Sequence, residues 1–305
     1  MASSSPPKRA LLIAGPTASG KSAIAAELAE RLNGVITNAD ALQVYGPLRI
    51  LSARPSAEEE ARLPHRLFGH VEARERYSVG RWLEDVAPVL DAVWAAGECP
   101  VVVGGTGLYF KALEEGLAPV PEVPPEVRAR VADWHAKEGI DGLKRRLPTD
   151  EGAALDQHRL IRAVEVREAT GRSLEDWQRE RTVPLLQGAC VARVFLMPDR
   201  EKAYARCEER FDEMLATGAV EEVQALLKLD LDPDLPAMKA IGVSELSRHL
   251  AGELTLDDAC VLAKTQTRRY VKRQMTWFRS QMSGWPAVAP KEAADRLLTD
   301  LQPVA

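Results

Sequence analysis

A glycine-rich segment near the N-terminus has the residue types and the spacing of a phosphate-binding loop. Residues 15–22 read Gly-Pro-Thr-Ala-Ser-Gly-Lys-Ser and match the pattern G-x-x-x-x-G-K-[ST]. The glycines let backbone N–H groups surround an anion, and the dipole of the helix that follows attracts it. Lys21 can reach an outer phosphate, and the Ser22 hydroxyl can bind Mg²⁺. The segment therefore predicts a polyphosphate site, while leaving open which polyphosphate binds and whether a phosphoryl group is transferred.

A carboxylate follows the second predicted strand. Asp40 comes shortly after the apolar segment at 35–37. The carboxyl ends of parallel strands border the crevice in which α/β sheets bind ligands, so Asp40 is a candidate for acid–base chemistry. The alternative is that Asp40 caps a helix. The next strand, at 100–103, ends in Gly104-Gly105-Thr106-Gly107 and lacks the acidic residue of a Walker B strand, which argues against a plain ATPase.

The elements around these segments alternate between strands and helices. The apolar run at 10–14 precedes the glycine-rich segment and predicts a strand buried on both faces. Helical periodicity follows at 22–33 and again at 78–96. Further strands are predicted at 35–37, 100–103 and 191–197. This order predicts an α/β fold, a P-loop NTPase-like core with a parallel sheet flanked by helices.

The pattern changes after Gly116, where a proline-rich segment is followed by helical and highly charged sequence. We predict that residues 118–188 form a helical insertion domain. The catalytic core would then comprise residues 10–117 and 189–285, ending in helices at 200–217, 219–229 and 255–280. Residues 1–9 and 286–305 are predicted to be tails.

The composition is that of an ordinary globular protein, with 46% hydrophobic and 28% charged residues. The formal charge of −5 excludes a globally basic surface but allows a local basic face. The four cysteines form no C-x-x-C pair, so we expect neither a zinc site nor a disulfide framework. No apolar run approaches the roughly 20 residues of a membrane span, and the run at 10–14 is too short for a signal peptide. These features predict a cytoplasmic protein that does not bind membranes.

A cluster of basic residues lies near the C-terminus. The segment 264–279 contains no acidic residue and six basic ones, namely Lys264, Arg268, Arg269, Lys272, Arg273 and Arg279. A basic helix face with nearby aromatic residues suits an RNA backbone, whereas the alternative is a solvated face balanced by its neighbours. We expect Trp277 and Phe278 to pack in the core.

Several motifs, taken together and in order, are similar to those of the tRNA dimethylallyltransferase (tRNA isopentenyltransferase) family. They include residues 15–22, Asn38-Ala-Asp-Ala-Leu-Gln-Val-Tyr45, Pro64-His65, Tyr77-Ser-Val79, Val103-Gly-Gly-Thr-Gly-Leu-Tyr109, Arg162-Ala-Val-Glu-Val166, Thr170-Gly171 and Lys272-Arg-Gln-Met-Thr-Trp-Phe-Arg279. The resemblance runs from about residue 11 to residue 280. It departs from the common family pattern at Ala41-Leu42, His65-Arg66 and Gly242-Val243.

The resemblance implies a reaction. A dimethylallyl group would pass from dimethylallyl diphosphate to N6 of the adenosine at position 37 of tRNA, beside the anticodon. The products would be N6-(dimethylallyl)adenosine and diphosphate, and no ATP would be consumed. The resemblance also implies Mg²⁺ as cofactor, the anticodon stem-loop of tRNA as partner, and a monomeric enzyme whose insertion domain contacts tRNA.

The resemblance also assigns roles to residues. Asp40 would accept a proton or hydrogen bond from the adenine amine, Thr106 would contact the reacting groups, and Arg210 would touch the diphosphate. For Arg210, the alternative is a surface salt bridge with Glu209 or Glu213. Gln43 would read the edge of the flipped adenine. The diphosphate would bind Gly15, Thr17, Ala18, Ser19, Gly20, Lys21 and Ser22, and Ser22 would bind the metal. The tRNA would contact Asp40, Ala41, Leu42, Gln43, Thr106, Arg128, His158, Arg159, Arg162, Lys239, Gly242, Lys272 and Arg273.

Two other classes of protein remain as alternatives. A P-loop small-molecule kinase would explain the phosphate loop and Mg²⁺, but neither the basic C-terminal helix nor the Gly-Gly-Thr-Gly ending of the third strand. A non-catalytic RNA-binding protein with a vestigial loop would not require Lys21, Ser22, Asp40 and Thr106 to be intact. The release of diphosphate rather than ADP would separate the transferase from the kinase.

Overall fold

A computed structural model of the chain describes residues 7–148 and 155–301. Within these residues six strands form one sheet in the order β3-β2-β4-β1-β5-β6, and every pairing is parallel. The strands are β1 (Arg9–Ala14), β2 (Gly34–Asn38), β3 (His65–Arg66), β4 (Cys99–Gly104), β5 (Cys190–Leu196) and β6 (Ala287–Val288). The predicted α/β fold with a parallel sheet flanked by helices is therefore confirmed.

The helices connect and cover these strands. They are α1 (Lys21–Leu32), α2 (Ala57–Arg62), α3 (Val79–Ala95), α4 (Gly107–Glu115), α5 (Pro125–Lys144), α6 (Gln157–Thr170), α7 (Leu174–Arg179), α8 (Arg200–Ala216), α9 (Ala219–Leu227), α10 (Val243–Leu250), α11 (Leu256–Gln281) and α12 (Ala293–Asp300). Short 3-10 turns occur at Ala237–Lys239 and Pro290–Glu292. Helix α5 is interrupted at Gly139, whose φ of +66° and ψ of −166° are not helical. In the part of the chain that the structure describes, no helix has the length and apolar character to cross a membrane.

The centre of the sheet is apolar on both faces. The β1 residues 10–14 have no exposed surface, and all six residues of β4 are buried. On one face, α1 and α12 pack against the strands through Leu28 and Leu297. Burial on both faces explains why these strands are continuous apolar runs without alternation.

The chain folds into two compact units, one spanning Met1–Glu114 and Leu186–Ala305 and the other Glu115–Leu185. The first unit contains the sheet together with helices α8–α12. The second unit has its own core, in which α5, α6 and α7 bury Val131, Leu160 and Val164. Residues 149–154 of the predicted insertion domain lie outside the described residues.

Residues 286–301 are not a tail, so the prediction of a tail at 286–305 is wrong for the described part of that segment, and residues 302–305 lie outside the described residues. Strand β6 pairs with β5, with Ala287 opposite Phe195. Helix α12 then buries Ala293 and Leu297 in the core beneath the sheet. The four-residue spacing of these side chains gives the short helix an apolar face that stabilises its docking. The predicted N-terminal tail, residues 1–9, extends one residue too far, because Arg9 already belongs to β1. Residues 1–6 lie outside the described residues.

Candidate active site

Three loops meet at the carboxyl ends of neighbouring strands. Because β4 lies between β1 and β2, the loop after β4 is flanked by the glycine-rich loop on one side and by the Asp40 loop on the other. The Gly15 N–H donates to the Gly104 carbonyl at 3.2 Å, and the Thr106 N–H donates to the Ala39 carbonyl at 3.2 Å. A Cβ on Gly104 would lie 2.0 Å from the Ala39 carbonyl oxygen. The close approach of these loops therefore requires glycine at position 104.

The glycine-rich loop presents the start of a helix to the crevice. Helix α1 follows Gly20, which has a φ of +85°, and no side chain among the described residues caps it. Ser19 is fully buried, and its hydroxyl has no hydrogen-bond partner within the part of the chain that the structure describes. An uncapped helix start and an unsatisfied buried hydroxyl are the features expected of a site that receives an anion.

Two cationic side chains, Lys21 and Arg210, lie beside this loop. Burial lowers the pKa of Lys21 to about 8, with nearby Arg210 adding to the effect and Asp40 opposing it. The Lys21 ammonium donates only a long hydrogen bond, of 3.4 Å, to the Pro16 carbonyl. Burial also lowers the pKa of Arg210. Among the described ion pairs, Arg210 forms none with Glu209 or Glu213, so the alternative salt bridge is not observed.

Asp40 has one oxygen fixed and the other without a partner. Its Oδ1 accepts a hydrogen bond from the Leu42 N–H at 3.0 Å, and its own N–H donates to Asn38 Oδ1 at 2.8 Å. The residues that follow form a turn, so Asp40 caps a turn and not a helix. Asp40 Oδ2 accepts no hydrogen bond from the residues that the structure describes, and a Cβ on Gly105 would lie 3.1 Å from it. This second oxygen is available to a substrate.

The remaining residues of the Asp40 loop are held by hydrogen bonds within the protein. Thr106 Oγ1 accepts from the Ala41 N–H at 2.9 Å. The Gln43 amide donates to the Ser52 carbonyl at 3.0 Å and to the Ala53 carbonyl at 2.9 Å. Both N–H groups of Gln43 are therefore occupied, which leaves only its carbonyl oxygen for a base edge.

A cavity extends from these loops toward α8 and α11. Its polar end contains Thr17, Asp40 and Arg210. Apolar side chains form most of the other walls: Leu42, Leu51, Phe211, Met214 and Ile241. Tyr270 also lines it, and burial, with a smaller contribution from Asp40, raises the pKa of its hydroxyl. The cavity therefore suits a ligand that carries a phosphate group at one end and a short hydrocarbon at the other.

The basic residues of α11 differ in their surroundings. Lys264 contacts Asp212 at 2.6 Å, and Arg268 pairs with Glu208, so acidic residues of α8 balance these two charges. Lys272 and Arg273 are exposed and have no acidic partner among the described ion pairs, and Arg273 lies 5.6 Å from the centre of the Tyr270 ring. The balanced-face alternative thus applies to the first half of the cluster only.

The other predicted tRNA contacts are more dispersed. In the sheet-containing unit, Lys239 pairs with Asp234 at 2.8 Å. Gly242 has a φ of +96°, and a Cβ there would meet Leu51 at 2.7 Å. In the unit Glu115–Leu185, His158 is exposed and Arg128 is half-buried. In that unit Arg159 and Arg162 contact neighbouring acids on or beside their own helix, at 3.5 and 3.6 Å.

One residue at this site was not assigned a role from the sequence. Gln274 is 6% exposed, and its side chain hydrogen-bonds to both the glycine-rich loop and the loop after β4. A single amide on the otherwise largely apolar buried face of α11 was the available signal. The contacts themselves join residues far apart in the chain, and no local pattern indicates them.

The sheet order and the three converging loops define a P-loop-like α/β protein with a candidate anion site beside a largely apolar cavity. A family model described as IPP transferase matches residues 43–281, and one described as Isopentenyl transferase matches residues 8–68. A tRNA dimethylallyltransferase from Nitrobacter hamburgensis is 50% identical over 294 residues, covering 94% of this chain and 93% of its own. The chain belongs to the IPP transferase family, as its motifs predicted.

Solved structures agree with this assignment. The full-length tRNA isopentenylpyrophosphate transferase from Bacillus halodurans aligns with a TM-score of 0.70 at 28% identity, covering 97% of both chains. A eukaryotic dimethylallyltransferase acting on tRNA aligns with a TM-score of 0.74 at 23% identity, covering 93% of this chain and 74% of its own. The second alignment supports the fold.

Proposed function

We infer that this protein transfers a dimethylallyl group from dimethylallyl diphosphate to N6 of the adenosine at position 37 of tRNA. The family and the names of its relatives support transfer to a tRNA adenosine. One observation carries the finer assignment. Thr17 of the glycine-rich loop, Arg210 and a carboxylate with an unpartnered oxygen border one cavity whose other walls are largely apolar. Lys21 and the uncapped start of α1 line a second cleft, which shares Arg210 with that cavity. The products are N6-(dimethylallyl)adenosine and diphosphate.

The glycine-rich loop holds the leaving group. As the C–O bond of the isoprenoid breaks, its electron pair goes to the diphosphate. Lys21, Arg210 and the N–H groups at the start of α1 stabilise the charge that develops there. Both cations are half-buried, so they interact more strongly with an anion than fully exposed side chains would. No nucleoside triphosphate takes part.

Asp40 acts as the general base for the adenine amine. The exocyclic amine of adenine is a weak nucleophile, and forming the new N6–C bond leaves a proton to be removed. Asp40 Oδ2 accepts that proton, while Oδ1 keeps its bond to the Leu42 N–H and fixes the carboxylate. Thr106 lies at the same edge of the sheet and contacts the reacting groups. The adenosine leaves its stacked position in the tRNA loop to reach this buried edge.

Mg²⁺ is the proposed cofactor, and the residues present fit it. The residues that the structure describes contain no group of acidic, His or Cys side chains able to enclose a metal. Mg²⁺ often binds through few protein ligands, with water and substrate phosphates completing its shell. The Ser22 hydroxyl, at the exposed start of α1, would hold it against the diphosphate. When bound, the ion supplies positive charge to the leaving group.

The insertion domain and the exposed end of the basic helix provide contacts with the anticodon stem-loop in this proposal. Lys272 and Arg273 are exposed cations of α11 without an acidic partner among the described ion pairs, while Arg128, His158, Arg159 and Arg162 lie in the second unit. In this proposal the enzyme acts as a monomer. A tRNA substrate and cysteines without disulfide partners support a cytoplasmic location.

The test is direct. The protein is incubated with tRNA, dimethylallyl diphosphate and Mg²⁺, and digested tRNA is examined for a five-carbon mass increment on adenosine. Omitting dimethylallyl diphosphate, or replacing it with ATP, should abolish the product. Formation of ADP would favour the kinase, and tRNA binding without any modification would favour the non-catalytic RNA-binding protein.

A further inference from the structure

Gln274 is a polar side chain on the buried face of α11. The residues around it on that face, Val271, Met275 and Phe278, are apolar and buried. Burying a primary amide is unfavourable unless its donors and acceptor are paired. The partners of Gln274 therefore indicate what its presence achieves.

Those partners belong to two different loops of the active site. Gln274 Oε1 accepts a hydrogen bond from the Thr17 N–H at 3.0 Å, and Gln274 Nε2 donates to the Gly105 carbonyl at 3.0 Å. Thr17 lies in the glycine-rich loop, and Gly105 immediately precedes Thr106. One side chain thus joins the loop proposed to hold the leaving group to the loop that contacts the reacting groups.

Position 105 has room for this bridge because it is glycine. A Cβ there would lie 2.4 Å from Gln274 Nε2 and 3.1 Å from Asp40 Oδ2. From Gly105 the connection continues, because Thr106 Oγ1 accepts from the Ala41 N–H at 2.9 Å. Hydrogen bonds therefore run from Thr17 through Gln274 to the backbone that carries Asp40.

We propose that Gln274 is a positioning residue for the transfer reaction, which sets the distance between the diphosphate loop and the Thr106–Asp40 side of the cavity. The inference rests on the proposed function. Substitution at carbon needs the amine, the carbon and the leaving oxygen in line, and misplacement by about 1 Å can cost about 10²-fold in rate. Because the Gln274 amide forms one hydrogen bond to each loop, it fixes both, whereas an apolar side chain of equal length would fix neither.

The first variant is Gln274→Met, which preserves length and removes both hydrogen bonds. Single-turnover transfer should slow by about 10–10²-fold. The dissociation constants for inorganic diphosphate and for tRNA, each measured alone, should stay within about threefold of the original values. Gln281→Met is the matched control, since Gln281 is exposed on the same helix and should transfer normally.

The second variant is Gln274→Glu, which gives a pH signature that general destabilisation would not. A neutral carboxyl can accept from the Thr17 N–H and donate to the Gly105 carbonyl, whereas the ionised form cannot donate. Burial raises the pKa of a carboxyl group. The rate of this variant relative to the original protein should therefore be highest at low pH, should fall by up to about tenfold per pH unit above the pKa of the introduced carboxyl, and should level off once that carboxyl is fully ionised. The Gln274→Met ratio should not vary with pH.

Circular dichroism in the aromatic region, recorded at each pH, reports the folded fraction, and rates are compared per folded molecule. Transfer by Gln274→Met within about threefold of the original rate would overturn the inference, as would a pH-independent ratio for Gln274→Glu. Loss of diphosphate binding in Gln274→Met with unchanged single-turnover rate would also overturn it. An original protein that transfers nothing would instead overturn the proposed function.

Discussion

Replacing Asp40 by asparagine should remove its chemistry while keeping its structural role. In the original protein Oδ1 accepts from the Leu42 N–H at 3.0 Å, and an asparagine Oδ1 can accept the same bond. Oδ2, which has no hydrogen-bond partner among the described residues, becomes an NH₂ group that cannot take a proton. The Asp40→Asn protein should therefore fold normally, bind both substrates and transfer slowly.

The size of the effect follows from which interaction is lost. A positioned general base contributes about 10²–10⁴-fold, or about 3–5 kcal/mol of activation free energy. The turn that Oδ1 supports contributes about 1 kcal/mol, as one hydrogen bond does. Loss of the base therefore outweighs any disturbance of the turn, and the single-turnover rate should fall by about 10²–10⁴-fold.

The assay uses enzyme in excess over tRNA and follows modified adenosine by mass spectrometry. Asp40→Ala is the matched comparison, because it loses both the base and the turn hydrogen bond. If Asp40 acts as a base, both variants should be slow to a similar degree. If it only supports the turn, Asp40→Asn should be nearly normal and Asp40→Ala impaired. Transfer by Asp40→Asn within about fivefold of the original rate would refute the reasoning.

Three further predictions concern the loops and the basic helix. Because burial lowers the Lys21 pKa to about 8, below its unfolded value, folding is opposed while Lys21 is charged. Lys21→Met should raise the free energy of unfolding by about 1–3 kcal/mol at pH 7, a gain that shrinks from pH 8 to pH 10.5. Gly104→Ala should destabilise the fold by about 2–4 kcal/mol in chemical denaturation. Neutralising Lys272 and Arg273 should flatten the salt dependence of tRNA binding by about 0.7–0.9 per lost phosphate contact.

A control variant or a second measurement accompanies each of these substitutions. Lys21→Met should lose dimethylallyl transfer although it is more stable, and a fall in stability at pH 7 would contradict the burial argument. Gly97→Ala should cost only about 1 kcal/mol, because Gly97 has a positive φ but faces open space, whereas a Cβ on Gly104 would meet backbone atoms. Neutralising the paired Lys264 and Arg268 should change the salt dependence less than neutralising Lys272 and Arg273. An unchanged salt dependence after neutralising Lys272 and Arg273 would return the whole helix to the balanced-face interpretation.

Short sequence patterns predicted the central strands of the sheet and the segments that follow them. The apolar runs before residue 15 and before Gly104 are strands because their side chains are buried on both faces. The phosphate loop and Asp40 were recognised because their residue types follow such strands directly. The convergence of the two follows from the rule that parallel strands present their carboxyl ends at one edge.

Contacts between distant segments were not predictable in the same way. Gln274 and Thr17 are 257 residues apart, so only the tertiary fold shows that they are bonded. The charges of Lys264 and Arg268 are balanced by α8, an element that no pattern within α11 indicates. Strand β6 has two residues, and α12 has eight, which is too little for periodicity to stand out from a tail.

The sheet order explains why the acidic residue Asp40 follows β2 and does not stand at the Walker B position after β4. Neighbouring strands lie about 4.8 Å apart, so an acid after β4 would be one strand from the phosphate loop, beside the leaving group. Asp40 follows β2, two strands away and about 10 Å along the sheet, which leaves space for the reacting carbon and the adenine amine of the proposed reaction between the anion and the base. The intervening loop carries glycine at 104 and 105, where it must pass between the other two loops. The proposed reaction at carbon needs this wider separation, because in it the base acts on the incoming amine and not on the phosphate.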